Sequence, residues 1–243
     1  MKEQTGNIEN TPTDRRHVRR EWHLNTKMVA FVLFAAIARG ATPSSVPFGD
    51  SFEGTQIYPA WALTQQFGSV SLSNQQAYSG AHSLEFASSP GGPRQIMATY
   101  KLPKRTKGTV SIAFYDSAPG QETLYEQLVV SDSTISGHNS AVGTQDFDAN
   151  CYMAYVANGA FGPNANCGIY PQLETTPVMR TLGWHVLSIT YGKAIATIDI
   201  DGSPVMAAPG DFEFDTVQIA VSGPNWRPDT VAYFDNFSFT PLQ

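Results

Sequence analysis

Short runs of alternating hydrophobic and polar residues follow one another along the chain from Phe48 onward. Alternation at every second residue is typical of half-buried strands, and no window of ten or more residues repeats with a helical period. Turn-forming pairs such as Ser-Gly, Pro-Gly, Asn-Gly and Asp-Gly separate the runs. The clearest strand patterns cover 69–73, 82–86, 95–102, 109–116, 151–157, 184–191, 194–200, 215–223 and 231–239. More than a dozen short strands are expected, which predicts an all-β, two-sheet antiparallel β-sandwich.

The last third of the chain carries the most specific pattern. Residues 184–206 predict a three-strand meander that turns at Gly192-Lys193 and again at Asp201-Gly202. In the final run, VAYFDNFSF, strict alternation places Asp235 in one row with Val231, Tyr233, Phe237 and Phe239. A buried carboxylate is costly unless it is paired. Three explanations are open: a bound cation, backbone N–H donors, or a bulge that turns Asp235 outward.

The N-terminal residues predict export. Arg15, Arg16, Arg19, Arg20 and Lys27 precede an apolar run that ends in Ala36-Ile37-Ala38. This order is typical of a secretory signal peptide, although Met28 is an alternative start and the Arg pairs also allow a twin-arginine signal. We therefore expect an extension and signal peptide at 1–38, a linker at 39–47 and a single sandwich domain at 48–243. The mature protein should be secreted or periplasmic.

Charge restricts the classes of partner. Without residues 1–38 the chain keeps 9 of its 15 Lys and Arg and 17 of its 21 Asp and Glu, a net charge of −8. Such a chain would be repelled by nucleic acids and by anionic lipids. We expect no nucleic-acid partner and no membrane association after signal cleavage.

Two cysteines, Cys151 and Cys167, lie in the exported part. In an oxidising compartment two such thiols predict one disulfide. Closing a loop of about 15 residues would contribute about 3 kcal/mol on the chain-entropy model. A zinc site would need more ligands than two thiols supply.

Four stretches resemble a known group of proteins: FGDSFEGTQIYPAW, VSLSNQQAYSGAHSLEF, RTLGWHVLSITYGKAIATIDIDGSPV and VAYFDNFSF. They are similar to the secreted concanavalin-like and laminin-G-like jelly rolls of bacteria, whose pattern overlaps that of carbohydrate-binding modules. The resemblance implies two curved sheets with the first and last strands adjacent. It also implies a structural Ca²⁺ held by Glu53, Asp235 and the turn at Gly80–Ser83, with Asp50 as an extra ligand.

Sugar recognition requires aromatic faces with amides and carboxylates beside them, and two loops supply this mixture. The first lies between the cysteines and just beyond, and the second joins the last two strand patterns. The candidate ligand-binding residues are Phe161, Asn164 and Tyr170 in the first loop and Asn225, Trp226, Arg227 and Asp229 in the second. The alternative for each loop is a turn whose aromatic side chain caps the core. Trp61 and Trp184 lie inside strand patterns and are predicted to be core residues.

Sequence signatures of catalysis are missing from the chain. It lacks the Glu-x-Asp-x-x-Glu run of laminarinase-type jelly rolls, and it has no Gly-x-Ser-x-Gly motif. The leading hypothesis is therefore a secreted, lectin-like, non-catalytic protein that binds extracellular polysaccharide or glycan. A polysaccharide lyase or glycoside hydrolase on the same fold is the first alternative, and a structural or adhesive surface protein is the second.

Overall fold

The computed structural model describes residues 47–145, 148–158 and 174–243, and these ranges form a sandwich of antiparallel strands. No helix occurs among them, so none there could cross a membrane. The strands are β1 (Phe48–Asp50), β2 (Trp61–Gln66), β3 (Gly68–Ser73), β4 (Ser83–Ser88), β5 (Arg94–Thr106), β6 (Gly108–Asp116), β7 (Tyr125–Ser131), β8 (His138–Gly143), β9 (Cys151–Asn158), β10 (Glu174–Met179), β11 (Gly183–Tyr191), β12 (Ile195–Ile200), β13 (Ser203–Pro209), β14 (Phe214–Gly223) and β15 (Val231–Pro241). The predicted fold class is confirmed.

Two sheets make up the sandwich. The eight-stranded sheet runs β13-β12-β11-β6-β15-β4-β3, with β1 added to the far part of β15, and the seven-stranded sheet runs β10-β9-β8-β7-β14-β5-β2. Strands β11, β12 and β13 form the predicted meander. Phe48 pairs with Phe239, so the first and last strands are adjacent as expected.

Alternate residues of both sheets fill the space between the layers. The eight-stranded sheet contributes Phe114, Leu187 and Phe234, and the seven-stranded sheet contributes Leu128 and Ile219, all fully buried. Each such side chain stabilises the fold by about 1.5–3 kcal/mol relative to an exposed one. Trp61 is 4% exposed and belongs to this core, as predicted.

A β-bulge in β15 changes the interpretation of VAYFDNFSF. The register between β15 and β6 shifts between Asp235 and Ser238, and Asn236 has a φ of 49°. The bulge exchanges the two faces of the strand. Ala232 and Phe234 face the core before it, and Phe237 and Phe239 face the core after it. The single apolar row that included Asp235 was therefore wrong, because Asp235 points to the outer face of the sheet.

Trp184 is a second correction. It pairs with Tyr115, while its neighbour His185 pairs with Phe114 and points into the sandwich. Because strand residues alternate, Trp184 lies on the outer face of the eight-stranded sheet and is half-buried there. Its assignment to the core was wrong.

Several predictions fall on residues outside the described ranges. These are the signal peptide at 1–38, all of the linker except Pro47, and the loop residues Phe161, Asn164, Cys167 and Tyr170. The export signal and this half of the proposed sugar site stay predictions.

Candidate functional site

The loop between β14 and β15 carries the most exposed large apolar side chain among the described residues. Trp226 is 75% exposed, and Asn225 beside it is also exposed. An exposed indole does not contribute the hydrophobic stabilisation that it would give if it were buried. The alternative of an aromatic cap on the core is not what the structure shows for Trp226, since a cap would be largely covered.

Ion pairs hold this loop in place. The buried Arg94 donates from Nη2 to Oδ1 of Asp229 at 2.5 Å and from Nη1 to the carbonyl of Pro224 at 3.0 Å. Arg227 forms an ion pair with Glu122. The four predicted residues thus divide by role: Arg227 and Asp229 anchor the loop, whereas Asn225 and Trp226 face solvent.

The loop follows β14, so one end of the outer face of the seven-stranded sheet adjoins it. The first row of this face joins Gln95, Ser222 and Tyr125 on three adjacent strands. In a later row, the Gln218 amide donates to Oγ1 of Thr99 at 3.3 Å. Amides, hydroxyls and an aromatic ring therefore continue from the Trp226 loop across the sheet. Of the residues that flank the undescribed segment 159–173, Asn158 ends β9 at the opposite end of this sheet, and Glu174 begins β10 beside Ala154.

A group of buried polar side chains lies within the sandwich at the Trp226 end. We call Asp116, Glu126, Tyr152 and Arg180 the Arg180 cluster. The Arg180 guanidinium donates to both carboxylate oxygens of Asp116, at 2.8 and 2.9 Å, and the Tyr152 hydroxyl donates to Asp116 at 3.0 Å. Burial acts to lower the pKa of Arg180, but the hydrogen bonds to Asp116 and the charges of Asp116 and Glu126 together outweigh it, so the pKa is raised.

Glu126 is the member of this cluster without a direct cation partner in the described contacts. It is 2% exposed and accepts a hydrogen bond from the Thr230 hydroxyl at 2.6 Å. Burial raises its pKa to about 7. Sequence reasoning missed the cluster. The available signal was Glu126 itself, which stands in the same alternating row as Leu128 and Val130.

The three predicted calcium ligands divide into a pair and a single residue. Asp50 accepts hydrogen bonds from Phe52 N and from Nε1 of Trp61, both at 2.9 Å. These bonds occupy both of its carboxylate oxygens. They also support Phe52, which has a φ of 55°.

Glu53 and Asp235 both face one turn, residues 78–82, which we call the Asp235 turn. Asp235 accepts N–H bonds from Tyr78 and Ser79 at 2.8 and 3.1 Å. Glu53 accepts N–H bonds from Ala81 and His82, and these bonds lower its pKa. Burial, together with the charge of Glu53, raises the pKa of Asp235.

The oxygens at this turn are of kinds that Ca²⁺ binds, and both carboxylates already accept backbone N–H bonds. No group of three His, Cys, Asp or Glu side chains arranged for a metal occurs within 47–145, 148–158 and 174–243. Calcium, however, accepts carboxylate, amide, hydroxyl and carbonyl oxygens together. Besides Glu53 and Asp235, the turn brings Oγ of Ser79 to within 3.0 Å of Oδ1 of Asn236. A cation there would also relieve the repulsion between the two carboxylates.

Cys151 begins β9, and its Sγ lies 3.6 Å from Sδ of Met179. Burial raises the pKa of its thiol. The disulfide with Cys167 stays a prediction, because Cys167 is outside the described residues.

Comparison with known proteins identifies the type of fold. No family model matches the chain, and no curated protein sequence matches it. The cellulose-induced protein Cip1 is similar with a TM-score of 0.56 at 16% identity, over 79% of this chain and 96% of that chain. SCLam, a non-specific endo-β-1,3(4)-glucanase from family GH16, has a TM-score of 0.55 at 11% identity, covering 81% and 93%. The β-glucanase of Bacillus licheniformis has a TM-score of 0.54 at 8% identity, covering 80% and 97%. Identities this low establish architecture alone: the chain folds as a concanavalin-like jelly-roll sandwich.

Proposed function

We propose that the protein is a secreted carbohydrate-binding protein that holds extracellular polysaccharide through the Trp226 loop without cleaving it. The observation that carries the proposal is the exposed indole of Trp226 on a loop anchored by buried Arg94. A rigid, pre-exposed ring can stack on the apolar face of a pyranose with little ordering cost. The polar row of Gln95, Ser222 and Tyr125 beside it supplies partners for sugar hydroxyls.

The distribution of carboxylates favours binding over hydrolysis. Glycosidases of the usual kind place two carboxyl groups on either side of the scissile bond. No strand of the seven-stranded sheet, as bounded above, contains more than one Asp or Glu. Glu126 and Asp116 point into the sandwich, where Thr230 and Arg180 engage them.

The alternative is a lyase or glycoside hydrolase, and the similar fold of several glucanases favours it. Release of reducing ends or unsaturated products from a polysaccharide panel would reveal it. If the protein binds polysaccharides of the panel but releases no product from any of them, the result would agree with the leading proposal.

The direct test is affinity electrophoresis of the full chain in gels that contain laminarin, mixed-linkage β-glucan, xylan or chitosan. We expect retardation by at least one neutral polymer, and Trp226→Ala should weaken binding about tenfold, as for a central aromatic contact. Leu182→Ala is the matched control, because Leu182 is 67% exposed but lies on the β10–β11 turn. Equal binding by the Trp226 variant and the wild type would reject this site.

We further propose that Glu53 and Asp235 hold a structural Ca²⁺ with oxygens of the Asp235 turn. Bound calcium would neutralise the pair and join the start of the chain to its last strand. Thermal melting in calcium and in chelator should differ by several degrees at saturating ion. Glu53→Gln should abolish most of that difference, and identical melting curves for the wild type would reject the site.

Export and the Cys151–Cys167 disulfide complete the proposal. The basic and apolar order of residues 1–38 supports export, and an oxidising compartment would favour the disulfide. N-terminal sequencing of secreted material and thiol titration after unfolding are the corresponding measurements. Two free thiols per chain would reject the disulfide.

A further inference from the structure

The outer face of β6, β11 and β15 has an ordered composition, and we call it the ladder face. The three strands are adjacent, and cross-strand pairing aligns their outward residues in rungs. One rung is aromatic, one is all serine and one is all threonine. They consist of Trp184, Tyr115 and Tyr233; Ser188, Ser111 and Ser238; and Thr190, Thr109 and Thr240. Between the aromatic and serine rungs lie Val186, Ala113 and Asp235.

The aromatic rung is extended by a fourth ring. Tyr78, from the Asp235 turn, packs edge-on to Trp184 with 5.6 Å between ring centroids. Trp184 and Tyr115 are 5.4 Å apart, and Tyr115 and Tyr233 are 6.3 Å apart. Tyr78 is 46% exposed, and Trp184 and Tyr115 are half-buried. Tyr233 is buried, so the surface that solvent reaches consists of Tyr78, Trp184 and Tyr115.

The sandwich core does not account for these rings. Core residues of the same strands, such as Phe114 and Leu187, point to the opposite face. The β3–β4 connection, which includes the Asp235 turn, accounts for Tyr78 and for Tyr233, whose hydroxyl donates to Oε1 of Gln75 at 3.0 Å. It leaves the exposed edges of Trp184 and Tyr115 without a structural reason.

Charge indicates what kind of molecule would fit. Average proteins have about 25% charged residues. On the ladder face the only charged position is Asp235, which is fully buried beneath its turn. The adjoining strands add Glu85 beside Tyr233 and Asp199 beside Ser188, but no strand of this sheet contains Lys or Arg. Rings, hydroxyls and carboxylates without a basic side chain suit a neutral polyhydroxylated ligand better than an anionic one.

The hydroxyl rungs retain hydrogen-bonding capacity. Thr109 and Thr190 share one bond at 2.9 Å, and Ser111 and Ser238 share another at 2.8 Å. A hydroxyl has one donor and two acceptor sites, so each pair keeps acceptor capacity for a ligand. Successive outward-facing residues of one strand are about 6.7 Å apart, and neighbouring strands are about 4.8 Å apart. The hydroxyl rungs thus form a regular array, which the buried Ala113 and Asp235 separate from the aromatic rung.

We propose that the ladder face is a second carbohydrate-binding surface, which takes a neutral polysaccharide chain across Tyr78, Trp184 and Tyr115 with the serine and threonine rungs beside them. The inference rests on the proposed function for the class of ligand, but not on the Trp226 loop. A monomer would then hold polysaccharide at two places, and the two contacts together would raise its avidity for a polymer above either alone.

The test uses the full chain with laminarin and mixed-linkage β-glucan as probes. Four proteins are compared by affinity electrophoresis: the wild type, Trp184→Ala, Trp226→Ala and the double variant. Each single change should weaken binding about tenfold, and the double change should remove it. Tryptophan fluorescence should still respond to glucan in Trp226→Ala, and the response should vanish in the double variant.

Matched variants separate recognition from folding. Tyr78→Ser removes a ring from an exposed turn and should weaken binding while the melting temperature stays close to wild type. Ser188→Lys places a charge on the ladder face without removing a ring and should also weaken binding. Leu182→Ala should leave it unchanged.

The outcomes distinguish the two proposals. If Trp226→Ala abolishes binding, while Trp184→Ala, Tyr78→Ser and Ser188→Lys bind as the wild type does, the ladder face is overturned and the proposed function stands. If Trp226→Ala binds normally and Trp184→Ala does not, the ladder face stands and the Trp226 site is overturned. A wild type that binds no neutral polymer overturns both.

Discussion

Two regions bury carboxylates in different ways. In the Arg180 cluster, Asp116 is fully buried and receives both arms of a guanidinium. In the Asp235 turn, Asp235 is equally buried but receives only backbone N–H groups in the described contacts. One carboxylate is compensated by the full charge of Arg180, which lies in the connection between β10 and β11. The other is compensated by partial charges of a nine-residue connection that carries Tyr78 to the ladder face.

The difference has consequences for sensitivity. A buried ion pair depends on both partners, because removing one leaves an isolated charge in a medium of low dielectric constant. A carboxylate that accepts several N–H hydrogen bonds can lose one of them and keep the others. It can also still bind a cation. We therefore expect the Arg180 cluster to govern stability and pH dependence, and the Asp235 turn to govern the response to calcium.

The largest effect should come from Arg180→Met. It removes the cation but keeps a similar volume, so Asp116 and Glu126 are left buried without it, at a cost of about 3–5 kcal/mol. Urea unfolding at pH 8 measures the change. Lys107→Met is the control, since its ion-pair partner Asp211 is exposed and the loss should be below about 1 kcal/mol. Equal losses in the two variants would contradict the comparison.

Glu126→Gln should stabilise the protein at high pH. The folded-state pKa of about 7 lies above the ordinary 4.5, so the folded state binds more protons between these values. The contribution of Glu126 to wild-type stability should therefore fall as pH rises from 4.5 to 7, by roughly 3 kcal/mol. Gln keeps an acceptor for Thr230 and does not titrate.

Urea unfolding of both proteins at pH 4.5 and at pH 8 checks this prediction. The variant should lose less stability over the interval and should exceed the wild type at pH 8. Parallel pH dependences would show that Glu126 is not the titrating group.

Asp235→Ala should cost about 2 kcal/mol, because it leaves the N–H groups of Tyr78 and Ser79 without their acceptor. The variant should also lose its stabilisation by calcium, which Arg180→Met should retain. Melting in calcium and in chelator compares the two. A calcium response that survives in Asp235→Ala would place the ion elsewhere.

Gly80→Ala should have the smallest effect, about 1 kcal/mol. Gly80 has a φ of 67°, and a Cβ there would lie 2.4 Å from the Glu53 carboxylate. The carboxylate is at the end of a flexible side chain and can move, so the conformational cost dominates. Gly120→Ala, with a φ of 78° but open space around it, is the control for backbone strain alone. The difference between their melting temperatures isolates the disturbance of Glu53.

Local pattern was sufficient for the fold but not for the faces. The meander and the pairing of the first and last strands follow from alternation, turn residues and the family resemblance, and the structure has both. Strict alternation placed Asp235 in a core row, with an outward-turning bulge as one open explanation, and Trp184 was predicted to be a core residue; both lie on the outer face. For Asp235 one bulged residue exchanged the faces, and a bulge carries little local signal. In β11 the residues that face the core are those in the same alternating row as His185, not Trp184. The His185 ring lies in the sandwich, with its centroid 5.3 Å from that of Tyr152.

The candidate sites show the same division. Trp226 was predicted from its Pro-bounded loop, since a turn of this kind lies at the surface in most sandwiches. Arg227 and Asp229 form ion pairs with Glu122 and Arg94, which are far away in sequence, and their contact with a ligand stays a prediction. The ladder face was not foreseen because its three strands are separated by long intervals in the chain.

The sequence by itself determined that this protein is an antiparallel sandwich, because period-two hydrophobicity and turn residues act over a few neighbours at a time. Tertiary structure alone decided which polar groups lie inside and which rings lie outside. Asp116 meets Arg180, and Trp184 meets Tyr115, only through strand pairing across 64 and 69 positions of the chain. Such contacts depend on which strands become neighbours, and no local pattern specifies that order.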